Sequence, residues 1–324
     1  MMKTKIDNKI EIKTTSKITI KEWLRLASQK LSNITPVPQL EAEAILASQL
    51  HLSRTELFTR SEDTLSRETL VSLGSLVQRR FVHYPLQYIT GKIDFYKNTF
   101  QVNDQVLIPR IDTEKLLELC IKELHNILSK HDELGLERNI RILEIGVGSG
   151  VIMISLIAEI NDWLTLKEID SRVSFEIVGV DINPAAISLS RENLAKLVPS
   201  IANAIKIRLI ESDVYAKLVP NKYDLIVSNP PYLREKESLS CQTELGFEPK
   251  EALVSEQDGM GVYRKIICNL HNFLHANGRL LLEINPLTLP ELTQLTRDCG
   301  YVIRGKYNGL QNEDRFVKIS SKVH

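Results

Sequence analysis

The residues that speak most directly of chemistry are Asn229, Pro230, Pro231 and Tyr232, which stand in one uninterrupted run. They follow the apolar stretch Leu225, Ile226 and Val227, so the run closes a buried strand. Two prolines fix φ and lack an N–H, and at their positions the turn presents carbonyl oxygens and no donors. The Asn229 side chain adds an amide oxygen. Two acceptors side by side suit an NH₂ group with two donors, and Tyr232 offers a flat face to a planar substrate. The nitrogen of a carboxamide is a poor nucleophile because its lone pair is delocalised into the carbonyl. Accepting its hydrogens at Asn229 and at the Pro230 carbonyl returns electron density to nitrogen and aims the lone pair at a group to be transferred. The work required is positioning and electrostatic stabilisation. No side-chain nucleophile is called for, and none is evident. A plain proline turn is the alternative, and the rest of the chain weighs against it.

A second run, Glu144-Ile-Gly146-Val147-Gly148-Ser149-Gly150, follows an apolar strand and opens an apolar helix. Its three glycines, 146, 148 and 150, are expected to let the backbone turn tightly and approach a ligand without a Cβ in the way. In dinucleotide enzymes this place receives pyrophosphate at a helix N-terminus. Here the spacing is GxGxG and an acid precedes it, which favours a ligand with a cationic amino-acid end, such as S-adenosylmethionine. The next strand ends at Asp181, whose carboxylate can accept from both hydroxyls of a ribose; this supports an adenosyl ligand without choosing between cofactors. Asn183, just before Pro184, is the better cap for the helix that follows. A third strand ends near Asp213, which with the backbone of Val214 is placed to meet an adenine edge. In open α/β sheets ligands collect at the carboxyl ends of the central strands, where both runs lie.

The elements that must position these residues read as two regions. Trp23, Leu24, Ala27 and Leu31 fall at helical spacing, as do Leu40, Ala44, Ile45, Ala47 and Leu50. A third helix holds Leu70, Leu73, Leu76, Val77 and Phe81, with Ser66 as its cap. Short strand-like runs at 93–96 and 99–102 read as a β-hairpin, and a helix is expected over 113–129. From Arg141 onward strands (142–145, 175–180, 205–210, 223–228, 279–284) alternate with helices (151–160, 184–197, 262–274), the pattern of a parallel sheet covered on both faces. Residues 301–305 and 316–320 are expected as a closing antiparallel pair. The expected division is a flexible extension over 1–16, a helical domain over 17–85, a hairpin linker over 86–112 and an α/β domain over 113–324.

Composition narrows the classes. Lys plus Arg and Asp plus Glu number 41 each in 324 residues, a balance unlike that of a chain built to coat nucleic acid. Cys120, Cys241, Cys268 and Cys299 are widely spaced, and the histidines show no ligand spacing, so inert thiols in a reducing compartment and no metal centre are expected. There is no apolar run of the roughly 20 residues a membrane helix needs. The first residues lack the features of a secretory signal.

At this point the chain resembles the PrmC/HemK family, the release factor glutamine methyltransferases, on five segments. These are YPLQYITG (84–91), LIPRIDTE (107–114), ILEIGVGSG (142–150), NPPY (229–232) and FEPKEAL (247–253). NPPY alone is shared with adenine-N6 and cytosine-N4 methyltransferases; the first two segments are far more specific. The resemblance implies a Rossmann-like seven-stranded methyltransferase domain beside a small N-terminal helical domain that contacts the substrate. The implied activity is methylation by S-adenosylmethionine of the N5 amide of the glutamine in the Gly-Gly-Gln loop of class I peptide chain release factors. It places Glu144, Gly146, Val147, Gly148, Ser149, Gly150, Asp181, Asp213, Val214 and Asn229 at the cofactor. Asn229, Pro230, Pro231 and Tyr232 hold the glutamine, and Arg110 and Glu114 shape the pocket wall. A cytoplasmic monomer is expected (or one in the mitochondrial matrix, for a eukaryotic source), without stable nucleic-acid binding or membrane contact. The chain departs from the family pattern at Ile111, Val214 and Asn285, and the segment 161–174 is longer than usual. The competing readings are a DNA or RNA amino-methyltransferase and a non-catalytic protein that binds the cofactor or the release factor.

Overall fold

The computed structural model describes residues 17–132, 138–170, 172–234, 243–255 and 258–322. The expected extension and Cys241 lie outside these residues. The chain divides into two compact units, Met1–Gly91 and Lys92–His324.

The first unit is helical: α1 (Ile20–Leu31), α2 (Pro38–Leu50), α3 (Arg54–Thr59), α4 (Arg67–Phe81) and α5 (Leu86–Thr90). Trp23, Leu24, Ala27 and Leu31 are buried as their spacing requires, and pack with Ile45, Leu46, Leu57, Leu73 and Val77. Ser66 caps α4, accepting from the Thr69 amide at 3.1 Å. On α2 the buried stripe differs from the one the sequence suggests. Leu40 is exposed, whereas Glu41 and Glu43 are buried. The reason is pairing: Arg80 of α4 engages Glu41 at 2.6 and 3.0 Å, and Arg54 engages Glu43. A buried carboxylate is tolerated when a guanidinium is bonded to it. The helix α3 has no counterpart in the sequence reading. It spans six residues, too few to show a period, yet a full capping box between Ser53 and Glu56 starts it.

The second unit opens with a hairpin, β1 (Lys92–Phe95) and β2 (Asn98–Gln101). There follow α6 (Asp112–Asp132), β3 (Arg138–Ile145), α7 (Val151–Thr165), β4 (Val173–Asp181), α8 (Pro184–Leu197), β5 (Ile205–Glu211) and β6 (Tyr223–Ser228). The remainder comprises α9 (Lys250–Leu253), α10 (Gly261–Cys268), α11 (Leu270–Phe273), β7 (Leu274–Glu283), α12 (Leu289–Asp298), β8 (Tyr301–Asn308) and β9 (Asp314–Ser321). The sheet runs β5-β4-β3-β6-β7-β9-β8. Its first five strands are parallel, and β9 is antiparallel to both β7 and β8. This is the helix-covered parallel sheet expected from the alternating pattern, and the Rossmann-like seven-stranded α/β fold that the family resemblance implies. One apolar cluster gathers Ile142, Ile154, Phe175 and Leu225; another gathers Leu143, Val178, Ile226 and Tyr263. Alternate residues of the central strands thus feed opposite faces.

Two local differences have plain causes. The helix expected over 262–274 is broken at Asn269, whose φ of −99° and ψ of 0° leave the helical region and whose side-chain amide donates back to the Lys265 carbonyl at 3.1 Å. The strand that follows begins at Leu274, paired with Tyr223 before the register shifts. Folding also brings the Cys268 and Cys299 sulfurs to 3.3 Å, a proximity that their sequence spacing does not show. No described helix is long and apolar enough to cross a membrane.

Candidate active site

The switch in strand order falls between β3 and β6, and there the two chemistry-bearing runs meet. A cavity of about 290 Å³ is lined by Glu144 and residues 146–149, by Asp181, Asp213 and Val214, and by Asn229, Pro230 and Pro231. Glycines 146, 148 and 150 have φ of 78°, 54° and 85°, the region where a side chain is strained, so each is needed for the turn. A Cβ on Gly146 would lie 3.9 Å from the Asn229 carbonyl oxygen, which measures how close the two runs come. Gly179 has a different duty: a Cβ there would meet Met153 Sδ and Val147 Cγ1 at 2.7 Å, so glycine lets β4 and α7 pack closely.

The acidic residues are held by backbone donors. Asp181 accepts from the Gly148 amide through Oδ2 and from the Asn183 amide through Oδ1, both at 2.9 Å. Asn183 itself caps α8 through the Ala185 amide, as its place before Pro184 suggests. Glu144, buried, accepts from the Met153 amide in the first turn of α7 at 2.9 Å, a favourable place for a carboxylate. Burial raises the Glu144 pKa well above its ordinary value and the Asp181 pKa above its own, against the lowering effect of those amide bonds. Asp213 is engaged by Lys265 of α10 at 2.7 Å. Glu251 of α9 also lines the cavity. With Lys265 committed to Asp213, the walls carry Glu144, Asp181 and Glu251 in excess, and a cationic ligand suits them.

Two further features belong to a ligand surface. Ser149 lines the cavity and is buried, and its hydroxyl has no hydrogen-bond partner among the described residues. Such an orphan is uncommon in a folded core, and a ligand or an ordered water in the cavity would satisfy it. Val214 is buried with a φ of 50°, a costly conformation for a β-branched residue. The fold holds it there at the cavity wall, just after the end of β5.

At the other end, Asn229 donates through Nδ2 to Thr113 Oγ1 at 3.2 Å. Thr113 donates in turn to Glu283 Oε2 at 2.9 Å. Tyr232 is not among the described cavity residues. Its hydroxyl lies 3.5 Å from Glu283 Oε1 and is bonded by Arg315, whose guanidinium carbon is 4.8 Å from the centre of the ring. Burial pushes the Tyr232 hydroxyl up to about 12. Arg110 and Glu114, expected at the pocket wall, are likewise absent from the described lining. Arg110 binds Glu248 at 2.5 Å, and Glu248 also accepts from the Ile108 amide at 3.0 Å. Glu114 accepts from the Tyr96 amide at 2.8 Å, which fixes the hairpin to α6.

The sequence reading missed Thr113, Glu283, Arg315, Glu251 and Lys265. Thr113 and Glu251 stand in segments that carry the family resemblance, and Glu283 ends a strand beside the site, so all three carried a signal. Arg315 lies on the last strand, with no pattern in the sequence to join it to residue 232. Asn193 was also missed. Its side chain reaches the Ser149 carbonyl at 2.9 Å and the Gln101 backbone at 2.8 and 3.0 Å, joining the glycine loop to the hairpin.

Two family models match the chain: the PrmC N-terminal domain over residues 22–91 and the methyltransferase small domain over residues 124–257. A bifunctional methyltransferase of Rickettsia typhi is 35% identical over 93% of this chain, which spans 57% of that relative's length. The release factor glutamine methyltransferase of Buchnera aphidicola is 32% identical, over 82% of this chain and 85% of the relative. That of Streptococcus pneumoniae is 34% identical, over 75% of this chain and 78% of the relative. The chain belongs to the release factor glutamine methyltransferase family.

Proposed function

We propose that the protein transfers a methyl group from S-adenosylmethionine to the N5 amide of the glutamine in the Gly-Gly-Gln loop of class I peptide chain release factors. The observation that carries this reading is the single cavity shared by the glycine loop and by Asn229, Pro230 and Pro231. Asp181 accepts from the ribose hydroxyls, and the Val214 backbone with Asp213 meets the adenine. Glu144 faces the cationic amino-acid end, and the orphaned Ser149 hydroxyl finds its partner on the ligand. The cofactor supplies a methyl on a positively charged sulfur, and the acidic walls suit that charge.

Asn229 Oδ1 and the Pro230 carbonyl accept the two hydrogens of the glutamine amide. This raises the electron density on nitrogen and aims its lone pair at the group to be transferred. Bound there, S-adenosylmethionine would supply an electrophilic methyl with its sulfur as the leaving group, while Asn229 and Pro230 hold the attacking nitrogen and solvent takes the proton that the methylated nitrogen sheds. The ring of Tyr232, held by Arg315 immediately after the cavity-lining Pro231, is assigned to the face of the planar amide. Residues 17–85 serve as the recognition domain for the release factor, residues 86–112 as a linker and residues 113–324 as the catalytic domain. The partner is the release factor, with no stable nucleic-acid complex, and the enzyme acts as a monomer in the cytoplasm or, in a eukaryote, in the mitochondrial matrix.

The test is mass spectrometry of a purified unmodified release factor after incubation with enzyme and S-adenosylmethionine, beside unmodified DNA and RNA. One added methyl on the Gly-Gly-Gln glutamine is expected. Methyl label found in nucleic acid alone would transfer the assignment to the amino-methyltransferases of bases.

A further inference from the structure

We infer that Thr113 and Glu283 are positioning residues that fix which way the Asn229 amide faces, an inference that rests on Asn229 being the acceptor for the substrate amide. The oxygen and nitrogen of an asparagine amide are nearly isosteric, so the side chain can turn over with little change of shape. Only one orientation does the required work. With Oδ1 toward the substrate, Asn229 accepts from the glutamine NH₂. Turned over, it sets donor against donor and the nitrogen is pushed away.

The hydrogen-bond inventory around Asn229 decides between them. Asn229 Nδ2 lies 3.2 Å from Thr113 Oγ1, and that hydroxyl lies 2.9 Å from Glu283 Oε2. A threonine hydroxyl has one hydrogen, and an ionised carboxylate only accepts. The Thr113 hydrogen is therefore committed to Glu283, and the oxygen offers only lone pairs to Asn229. The atom of Asn229 facing Thr113 must be the nitrogen, which sends Oδ1 the other way. The chain of donation is Asn229 to Thr113 to Glu283, and it is closed at its far end by charge. Glu283 is fully buried at the end of β7, and its Oε1 meets Arg315 at 3.2 Å. The Arg315 pair opposes the effect of burial, which raises the Glu283 pKa. The groups facing the carboxylate include Thr113 from α6, Arg315 from β9 and the hydroxyl of Tyr232, with the Asp112 carboxylate of α6 near enough to raise its pKa as burial does, while Tyr263 donates to the Glu283 backbone carbonyl at 3.1 Å. One carboxylate thus orients Asn229 through one oxygen and meets the Tyr232–Arg315 pair through the other.

The consequence is specific. Glu283→Gln is isosteric but carries an NH₂ that can donate to Thr113, which frees the threonine hydrogen to donate to Asn229 and permits the turned-over amide. Thr113→Val removes the acceptor, whereas Thr113→Ser keeps it. The experiment measures kcat on a release factor, affinity for S-adenosylhomocysteine and the thermal midpoint for Thr113→Val, Thr113→Ser, Glu283→Gln and Asn229→Ala. Thr113→Val and Glu283→Gln should lower kcat by roughly 10- to 100-fold, the loss usual when the partner that orients a reacting group is removed. Their affinity for S-adenosylhomocysteine should stay close to that of the unaltered enzyme, and Thr113→Ser should recover most of the rate. Unaltered kcat in Thr113→Val and Glu283→Gln beside a disabled Asn229→Ala overturns the relay and leaves the site assignment standing. A Thr113→Ser enzyme as slow as Thr113→Val also overturns it. Unaltered kcat in Asn229→Ala overturns the site assignment and the relay together. Should Glu283→Gln fail to fold, the valine–serine contrast at position 113 decides.

Discussion

Replacing Asp181 by alanine should weaken S-adenosylmethionine binding by about two orders of magnitude. The side chain lines the cavity, and each of its oxygens already holds a backbone amide, Gly148 and Asn183, at 2.9 Å. A carboxylate oxygen accepts more than one bond, so both remain able to meet ribose hydroxyls. Hydrogen bonds to a charged group contribute about 1.5–3 kcal/mol each. Two ribose bonds would give ~3–6 kcal/mol gross, and the lower end is appropriate because water takes up the freed hydroxyls. A loss of ~3 kcal/mol corresponds to about a 100-fold rise in Kd. The glycine loop also loses an anchor at Gly148, which acts in the same direction. Isothermal calorimetry with S-adenosylmethionine on the alanine variant measures the effect. Asn183→Ala serves as a comparison, since losing the α8 cap should cost ~1 kcal/mol of folding stability with much less effect on affinity. Equal affinity in Asp181→Ala and the unaltered protein would refute the ribose assignment.

Other outcomes follow from the same structure. Burial raises the pKa of Glu144 and Asp181 in the free protein, so their contribution to folding stability is greatest below the ordinary carboxylate range and is lost as pH rises through the raised values. A cationic ligand favours the ionised forms, so binding should release protons and weaken as pH falls through those values; calorimetry in buffers of different ionisation enthalpy reads the release. Gly179→Ala should lower stability by ~1–3 kcal/mol, the usual cost of overpacking, because its Cβ would stand 2.7 Å from Met153 Sδ and Val147 Cγ1; a thermal midpoint equal to that of the unaltered protein would contradict the close packing of β4 on α7. Glu41→Ala should cost ~1.5–3 kcal/mol by removing the carboxylate that the buried Arg80 guanidinium bonds, read as a loss in denaturant unfolding of the first unit.

The order of strands and helices in the second unit was legible because a parallel sheet covered on both faces writes short apolar runs separated by helical periods. The turn at 229–232 and the glycine loop were legible because prolines and glycines dictate backbone shape wherever they occur. Other features were hidden for definite reasons. Asn269 breaks a helix by a local choice between backbone and side-chain bonds that periodicity does not report. Glu41 and Glu43 look solvent-facing until Arg80 and Arg54 are brought to them. Thr113, Glu283 and Arg315 come together from α6, β7 and β9, and only tertiary structure places them behind Asn229 and Tyr232. Arg110 and Glu114, read as pocket wall from their segment, turn instead to Glu248 and to the Tyr96 amide.

The central claim is that the Asn229 amide oxygen and the Pro230 carbonyl grip the substrate NH₂ beside the transferable methyl. Its most direct measurement is the single-turnover rate of methyl transfer to a release factor by Asn229→Ala, with S-adenosylmethionine at saturation. The rate should fall by at least ~100-fold, as when a positioned electrostatic group is lost, while the protein stays folded and retains most of its cofactor affinity. A rate equal to that of the unaltered enzyme would contradict the account.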